Sequence, residues 1–228
     1  MAYRVVEHLL GVVAGLDICD LACGQGEMAR RLAGLGARVT GIDISQELLR
    51  LARERSEAEG VTVDFVEGDA MALSEEYTAS FDGVVCLLAL MDISDLDAVL
   101  SNVHRILRPG GWFVFAITHP CFQTPDSRWT GKAGGTVKRE VRGYFREGFW
   151  QSDNPYGVRG KVGAYHRTLS TYLNALHRAG LLLEEMIEPQ ADDALTARVP
   201  GYREAPPVLV ARCRSGFLPR STRCESGS

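Results

Sequence analysis

Hydrophobic and polar positions follow two periods along the first half of the chain. Residues 18–22 form a short apolar run that ends at glycines, and similar runs recur at 37–42, 61–66, 81–88 and 112–118. The run at 81–88 is almost continuously apolar, as in a strand covered on both faces. Between these runs the apolar positions are spaced by three and four residues, the spacing of one helix face. Met28, Leu32 and Leu35 mark such a face over 26–35, Leu48, Leu49 and Ala52 over 46–59, and Leu96, Val99, Leu100, Val103 and Leu107 over 96–107. Ser45 stands where an N-cap is needed, and Arg108-Pro-Gly-Gly111 stands where the third helix must stop. The alternation predicts a doubly wound α/β fold: a mostly parallel sheet with right-handed crossovers and helices on both faces. Ligands of such sheets bind beyond the carboxyl ends of the strands.

The rhythm breaks at His119. Residues 119–167 read as a lid insertion after the fifth strand, in which 136–150 and 160–167 can pair as a hairpin. A helix is expected over 168–179, with Leu169, Tyr172, Leu173 and Leu176 on one stripe and Gly180 as its C-terminal cap. Strands at 181–187 and 208–213 follow, joined without a helix. Residues 1–213 thus read as one domain, and the Ser-, Arg- and Gly-rich residues 214–228 as a disordered tail.

Composition restricts the function classes. The chain has 228 residues, 46% of them apolar and 24% charged, enough to bury a core without disulfides. A net charge of −4 gives no overall pull towards nucleic acid or membrane. No apolar run approaches the roughly 20 residues that span a bilayer, and the first ten residues lack the apolar region of a signal peptide, so a cytoplasmic location is expected. None of the six cysteines forms a Cys-x-x-Cys pair, so no metal site is expected. Cys19, Cys23 and Cys86 read as buried free thiols.

The candidate chemistry lies at the ends of the first three strands. Asp20-Leu-Ala-Cys-Gly-Gln-Gly26 closes a strand and opens a helix. Gly24 and Gly26 let the backbone turn and approach a ligand, and Asp20 offers a carboxylate to a cationic group. Gly41-Ile-Asp43 ends the second strand, where an acid accepts from ribose hydroxyls. Glu67-Gly-Asp69-Ala70 follows the third, where a carboxylate and neighbouring N–H groups can read an adenine. The first motif also fits the dinucleotide fingerprint. A carboxylate four residues before its first glycine would repel a pyrophosphate, however, and three acids at three strand ends suit an adenosine that carries a cation.

These segments, with Ile44-Ser45 and Leu107-Arg-Pro-Gly-Gly111, resemble the successive motifs of class I S-adenosylmethionine methyltransferases, in the small-molecule branch that includes quinone-biosynthesis enzymes. The resemblance spans about residues 17–118 and is specific as a set. It implies a seven-stranded sheet with an antiparallel last strand and S-adenosyl-L-methionine as cofactor. It further implies that Asp20 and the backbone of Ala22 and Gly24 hold the methionine part, that Gly26 is a further cofactor-binding residue, that Asp43 binds the ribose, and that Ile44 packs on the adenine. Asp69 and the N–H of Ala70 or Met71 would read the adenine, and the carbonyl of Leu87 would meet the cofactor amine. The family usually carries a longer N-terminal helical segment than the two turns that Tyr3 to Leu10 can make.

The acceptor side is read from the insertion. His119 follows the fifth strand and can face the methyl group as a general base. His166 is a second catalytic candidate, and Tyr165 and Arg167 are candidates for substrate binding, with Tyr156, Tyr202 and Arg203 behind them. Nine of the 18 aromatic residues fall within 119–172, and 128–167 holds nine Lys or Arg against three Asp or Glu. That composition predicts a small-molecule acceptor, aromatic or apolar, bearing an anionic group. Three alternatives differ in class: a nucleic-acid methyltransferase, opposed by the acidic chain as a whole; a cofactor-binding protein without catalysis; and an NAD(P)-dependent oxidoreductase.

Overall fold

The apolar runs become strands of one sheet. The computed structural model describes residues 2–131, 137–152 and 158–216; the expected tail beyond 216 and Tyr156 lie outside the described residues. The first half of the chain runs α1 (Ala2–Leu10), β1 (Asp17–Leu21), α2 (Glu27–Gly34), β2 (Arg38–Asp43), α3 (Gln46–Glu59), β3 (Asp64–Glu67), β4 (Phe81–Leu87), α4 (Leu96–Ile106) and β5 (Leu107–Thr118). The insertion contributes β6 (Arg128–Thr130), β7 (Lys138–Glu140), β8 (Gly148–Trp150), α5 (Val158–Val162) and β9 (Ala164–His166). The chain returns through α6 (Leu169–Arg178), β10 (Leu181–Ile187), α7 (Asp193–Arg198) and β11 (Val208–Ser215).

The seven-stranded order is β10-β11-β5-β4-β1-β2-β3. β11 runs antiparallel to both its neighbours, and the remaining pairs are parallel. The order reverses between β4 and β1, which opens a crevice at their carboxyl ends.

Side-chain alternation splits the core into two layers. Phe113, Phe115 and Ile117 of β5 pack with α4 and α6, whereas Trp112, Val114 and Ala116 face α1, α2 and α3. Trp112 lies across Gly83 of β4, where an added Cβ would stand 2.2 Å from the indole. Gly83→Ala is therefore expected to cost about 1–3 kcal/mol, as overpacking does, read from the urea midpoint. An unchanged midpoint would mean that the ring moves freely.

Four boundaries differ from the sequence reading. The third strand starts at Asp64, not at 61. The left-handed Gly60 and the bond from Val61 N–H to the Ser56 carbonyl use the preceding residues to leave α3. The fifth strand begins at Leu107 and runs through the Pro-Gly-Gly segment. Its pairing register with β4 shifts between Phe81 and Gly83, and an irregularity of this kind tolerates a proline. The late strands are joined through α7, where the Asp192 carboxylate caps the Leu195 N–H. The last strand extends to Ser215, two residues into the expected tail.

Candidate functional site

The carboxyl edge of the sheet gathers the acidic residues. Two non-glycine residues adopt left-handed backbone there, Ala22 after β1 (φ 55) and Leu88 just after β4 (φ 57). They flank the crevice, and such conformations persist where the surrounding structure holds them. The loop after β1 is tied to β2: Cys23 N–H donates to the Ile42 carbonyl at 3.0 Å, and Gly24 N–H donates to Asp43 Oδ2 at 2.7 Å. The other Asp43 oxygen accepts from Ser45 N–H at 2.9 Å. Asp43 thus sets the loop geometry and still has lone pairs for a ligand.

The two glycines of the first motif do different work. A Cβ on Gly24 would meet nothing within 4 Å, so this backbone is open to a ligand. A Cβ on Gly26 would stand 2.6 Å from the Phe65 ring. Gly26 therefore serves the packing of α2 and α3 onto the sheet, a demand separate from any approach to a ligand. At Asp69, Oδ1 accepts from Met71 N–H at 2.8 Å, so Met71 N–H belongs to a turn and only Ala70 N–H remains for a base.

A cleft of about 200 Å³ brings together Ala22, Asp43, Ile44, Asp69, Ala70 and Met71. Asp92, Ile93 and Ser94, from the segment after β4, form another wall, and Tyr165 of β9 completes the lining. Ile44 is 67% exposed, an apolar side chain without a partner at the rim. Asp20, Gly24, Gly26 and Leu87 do not line this cleft. Asp20 is 2% exposed and its Oδ2 has no hydrogen-bond partner. Burial pushes its carboxyl up to about 7, with Asp43 adding to the rise and the Ala29 N–H opposing it. Burial also pushes the thiols of Cys19, Cys23 and Cys86 up, so they are not nucleophiles near neutral pH.

A second, narrower pocket of about 70 Å³ lies beside the cleft, walled by Trp150, Tyr165 and Tyr172 and floored by Met91 and Pro120. His166 lines it and is 4% exposed. Its Nε2 lies 2.8 Å from the Tyr144 carbonyl. A carbonyl only accepts, so Nε2 carries the proton and Nδ1 is the basic nitrogen of the neutral ring. Tyr165 lines both cavities. Two larger cavities, about 440 and 600 Å³, open at the opposite edge where strands begin. One is walled by the Asp17–Arg38 and Asp17–Arg108 ion pairs, and neither meets the crevice where the strand order reverses.

Two candidates of the acceptor side are held by partners within the chain. His119 is 2% exposed, with Nε2 2.5 Å from Glu188 and Nδ1 accepting from Cys121 N–H at 3.2 Å. Both ring nitrogens hold the loop after β5, and His119 lines neither the cleft nor the narrow pocket, so the arrangement gives no support to its expected part as a base. Arg167 lines the narrow pocket and donates to the carbonyls of Leu90, Ile93 and Ser94 at 3.1, 2.7 and 2.8 Å, so three of its five N–H donors clamp the chain there. Several other lid arginines are paired: Arg128 and Arg142 with Glu140, Arg146 with Asp126 and Arg159 with Asp92. These arginines of the insertion thus meet acids of the chain itself.

Sequence reasoning missed Asp92, Ile93 and Ser94, which line the cleft, and Trp150 and Gln123, which line the narrow pocket. The first three follow β4 at the productive edge, and that position was the available signal. The expected hairpin partners meet over three residues, Gly148 to Trp150 against Ala164 to His166. Among the described residues no group of His, Cys, Asp and Glu has the arrangement to hold a metal, and no helix is long and apolar enough to cross a membrane.

A doubly wound sheet with an acid at the carboxyl end of each of its first three strands, two of them lining a cleft there, has the arrangement of the ligand-binding open α/β proteins. A family profile described as a methyltransferase domain matches residues 18–111. A ubiquinone biosynthesis O-methyltransferase of Burkholderia vietnamiensis is 38% identical over 104 residues, 46% of this chain and 45% of that protein. The chain thus spans about half the length of the curated relatives it matches. The crystal structure of an S-adenosylmethionine-dependent methyltransferase from Mesorhizobium loti aligns with a TM-score of 0.80 at 31% identity, over 93% of this chain and 96% of that one. A structure from Listeria monocytogenes aligns with a TM-score of 0.79 at 24% identity, over 94% and 98% of the two chains, and attests the fold alone. The chain belongs to the class I S-adenosylmethionine-dependent methyltransferases. The oxidoreductase alternative falls with that membership.

Proposed function

We propose that this protein transfers a methyl group from S-adenosylmethionine to a hydroxyl of a small planar acceptor. The observation that carries the reading is the joining of two cavities at Tyr165: an acid-lined cleft on one side and an aromatic pocket with His166 on the other. The cleft suits the adenosine end. Asp43 would take the ribose hydroxyls, Ile44 would pack on the adenine face, Asp69 would accept from the adenine amino group and Ala70 N–H would donate to a ring nitrogen. The open backbone at Gly24 and the carbonyl at Leu87 would serve the methionine end. There the unpartnered carboxylate of Asp20 fits an α-ammonium, because a cation compensates a buried charge.

When bound, the cofactor supplies a methyl group on a sulfonium. The chain's own part is alignment, exclusion of water and proton removal. Trp150, Tyr165 and Tyr172 would hold a flat ring, and His166 Nδ1 would take the hydroxyl proton as the oxygen attacks. The guanidiniums at this pocket are engaged by Asp92 and by backbone carbonyls, which favours a neutral reacting end over an anionic one. The hydroxyl is favoured by the aromatic walls and by the relatives named as O-methyltransferases. A nucleic-acid acceptor is disfavoured by the net charge of −4, since phosphate contacts call for an excess of Lys and Arg.

Incubation with S-adenosylmethionine and a set of phenols, catechols and hydroxybenzoates, with S-adenosylhomocysteine quantified, tests the reading. Turnover on at least one is expected. Binding of cofactor without turnover on any of them, alongside turnover on a transfer-RNA pool, would replace it. Asp43→Ala is expected to weaken S-adenosylhomocysteine binding by about 1–3 kcal/mol, the loss for charged hydrogen bonds. Unchanged affinity by calorimetry would remove Asp43 from the ribose site.

A further inference from the structure

Three consecutive lid residues connect the two cavities. Tyr165 lines the cleft that holds Asp43 and Asp69 and also walls the narrow pocket. His166 lines that pocket. Arg167 clamps the carbonyls of Ile93 and Ser94, and those two residues are a wall of the cleft. A second link runs beside them, since Arg159 lines the pocket, Asp92 lines the cleft, and the two form an ion pair. The lid is also fixed to α6, where Glu147 accepts from Thr168 N–H at 2.6 Å and from the Thr171 hydroxyl at 2.5 Å. The edge of the Tyr165 ring is steadied by Phe149 across the β8–β9 pair, at 5.4 Å between centroids.

A ligand in the cleft thus touches the same ring and the same 92–94 segment that shape the pocket. We infer that Tyr165 is a cofactor-contact residue as well as an acceptor wall, so that filling the adenosine cleft orders the lid and completes the acceptor pocket. This deepens the methyltransferase reading and rests on it. The coupling needs no movement of the sheet, because the shared elements are one side chain and one short segment. Contacts made in the cleft stabilise the lid arrangement that forms the pocket, and a ligand shifts an equilibrium by its preference for one state.

Hydrogen–deuterium exchange of the full chain, with and without S-adenosylhomocysteine, tests this. In the wild type the ligand is expected to slow exchange in the peptides that carry β8 and β9 as well as in those that carry residues 20–26, 43–45 and 69–72. Tyr165→Ala is expected to bind S-adenosylhomocysteine about tenfold more weakly, the scale of one buried ring contact, and to lose the slowing at β8 and β9 even at saturation. Tyr165→Phe keeps the ring and is expected to retain both. Arg159→Gln, which leaves Tyr165 in place, is expected to reduce the slowing without abolishing it. Slowing confined to the three loops, with the lid exchanging as in the free protein, would overturn the coupling while leaving the cofactor site standing. Wild-type affinity in Tyr165→Ala would overturn the contact. No binding of S-adenosylhomocysteine by the wild type would overturn the proposed function and this inference together.

Discussion

His166→Gln is expected to lower turnover on a hydroxylated acceptor by about 10²–10⁴-fold, the range for loss of a general base. The affinity for S-adenosylhomocysteine should change by less than about twofold, because the residue lines the acceptor pocket and not the adenosine cleft. The Tyr144 carbonyl accepts from Nε2 and so leaves Nδ1 basic. Glutamine is close in size and can donate to that carbonyl, but it has no basic nitrogen. The assay separates the roles through pH: a more acidic phenol, already ionised, should recover much of the lost rate in the variant. Equal losses in turnover and in cofactor affinity, with no such recovery, would make His166 a packing residue.

Asp20→Asn is expected to stabilise the free protein at pH 8 by about 2–4 kcal/mol and to leave its stability at pH 4 nearly unchanged. Each pH unit that separates the folded from the unfolded titration is worth about 1.36 kcal/mol. Asp20 is pushed up to about 7, first by burial and then by Asp43, with the Ala29 N–H acting the other way. Between about pH 4 and pH 7 the folded chain therefore keeps a proton that the unfolded chain has released. The stability from this group is full at low pH and is lost as pH rises through its folded value, so the ionised Asp20 burdens the free protein at pH 8. A bound ammonium relieves that burden. Wild-type affinity for S-adenosylhomocysteine should accordingly tighten by about fivefold from pH 6 to pH 7 and by about twofold more by pH 8, with proton release below pH 7. The Asn variant should bind weakly with a flat profile. Urea unfolding at both pH values and calorimetry in buffers of different ionisation enthalpy report these quantities. An Asn variant no more stable than the wild type at pH 8 would mean that Oδ2 finds water.

Much of this arrangement is legible in the sequence, for physical reasons. Strands covered on both faces cannot avoid apolar runs, and their helices must carry apolar residues at three- and four-residue spacing, so β1, β2, β4, α3 and α4 fall within a residue or two of their expected places. Ser45 marks the start of α3 because a hydroxyl there accepts from the Leu48 N–H. Asp43, Asp69 and Ile44 are legible because the end of a parallel strand fixes where the next side chains stand. Tertiary choices are not legible. Gly26 looks like a ligand-approach glycine in one dimension, and only the Phe65 ring, 39 residues later in the chain, shows its packing demand. His119 reads as a base until Glu188, just beyond β10, takes its Nε2. Arg167 reads as an anion hook, and the carbonyls of another segment that take three of its donors show only in the fold. α7 has only six residues, too few for a periodic pattern to emerge.

The central claim is that three strand-end acids, one of them a buried carboxylate with an unpartnered oxygen, form a site for a cationic adenosine. Calorimetric titration of the full chain with S-adenosylmethionine and S-adenosylhomocysteine, with NAD alongside, tests it most directly. Micromolar binding of the first two and none of NAD is the predicted result. Binding of NAD in their place, or of adenosine as tightly as of the amino-acid-bearing ligands, would contradict the assignment of Asp20 and with it the account of the site.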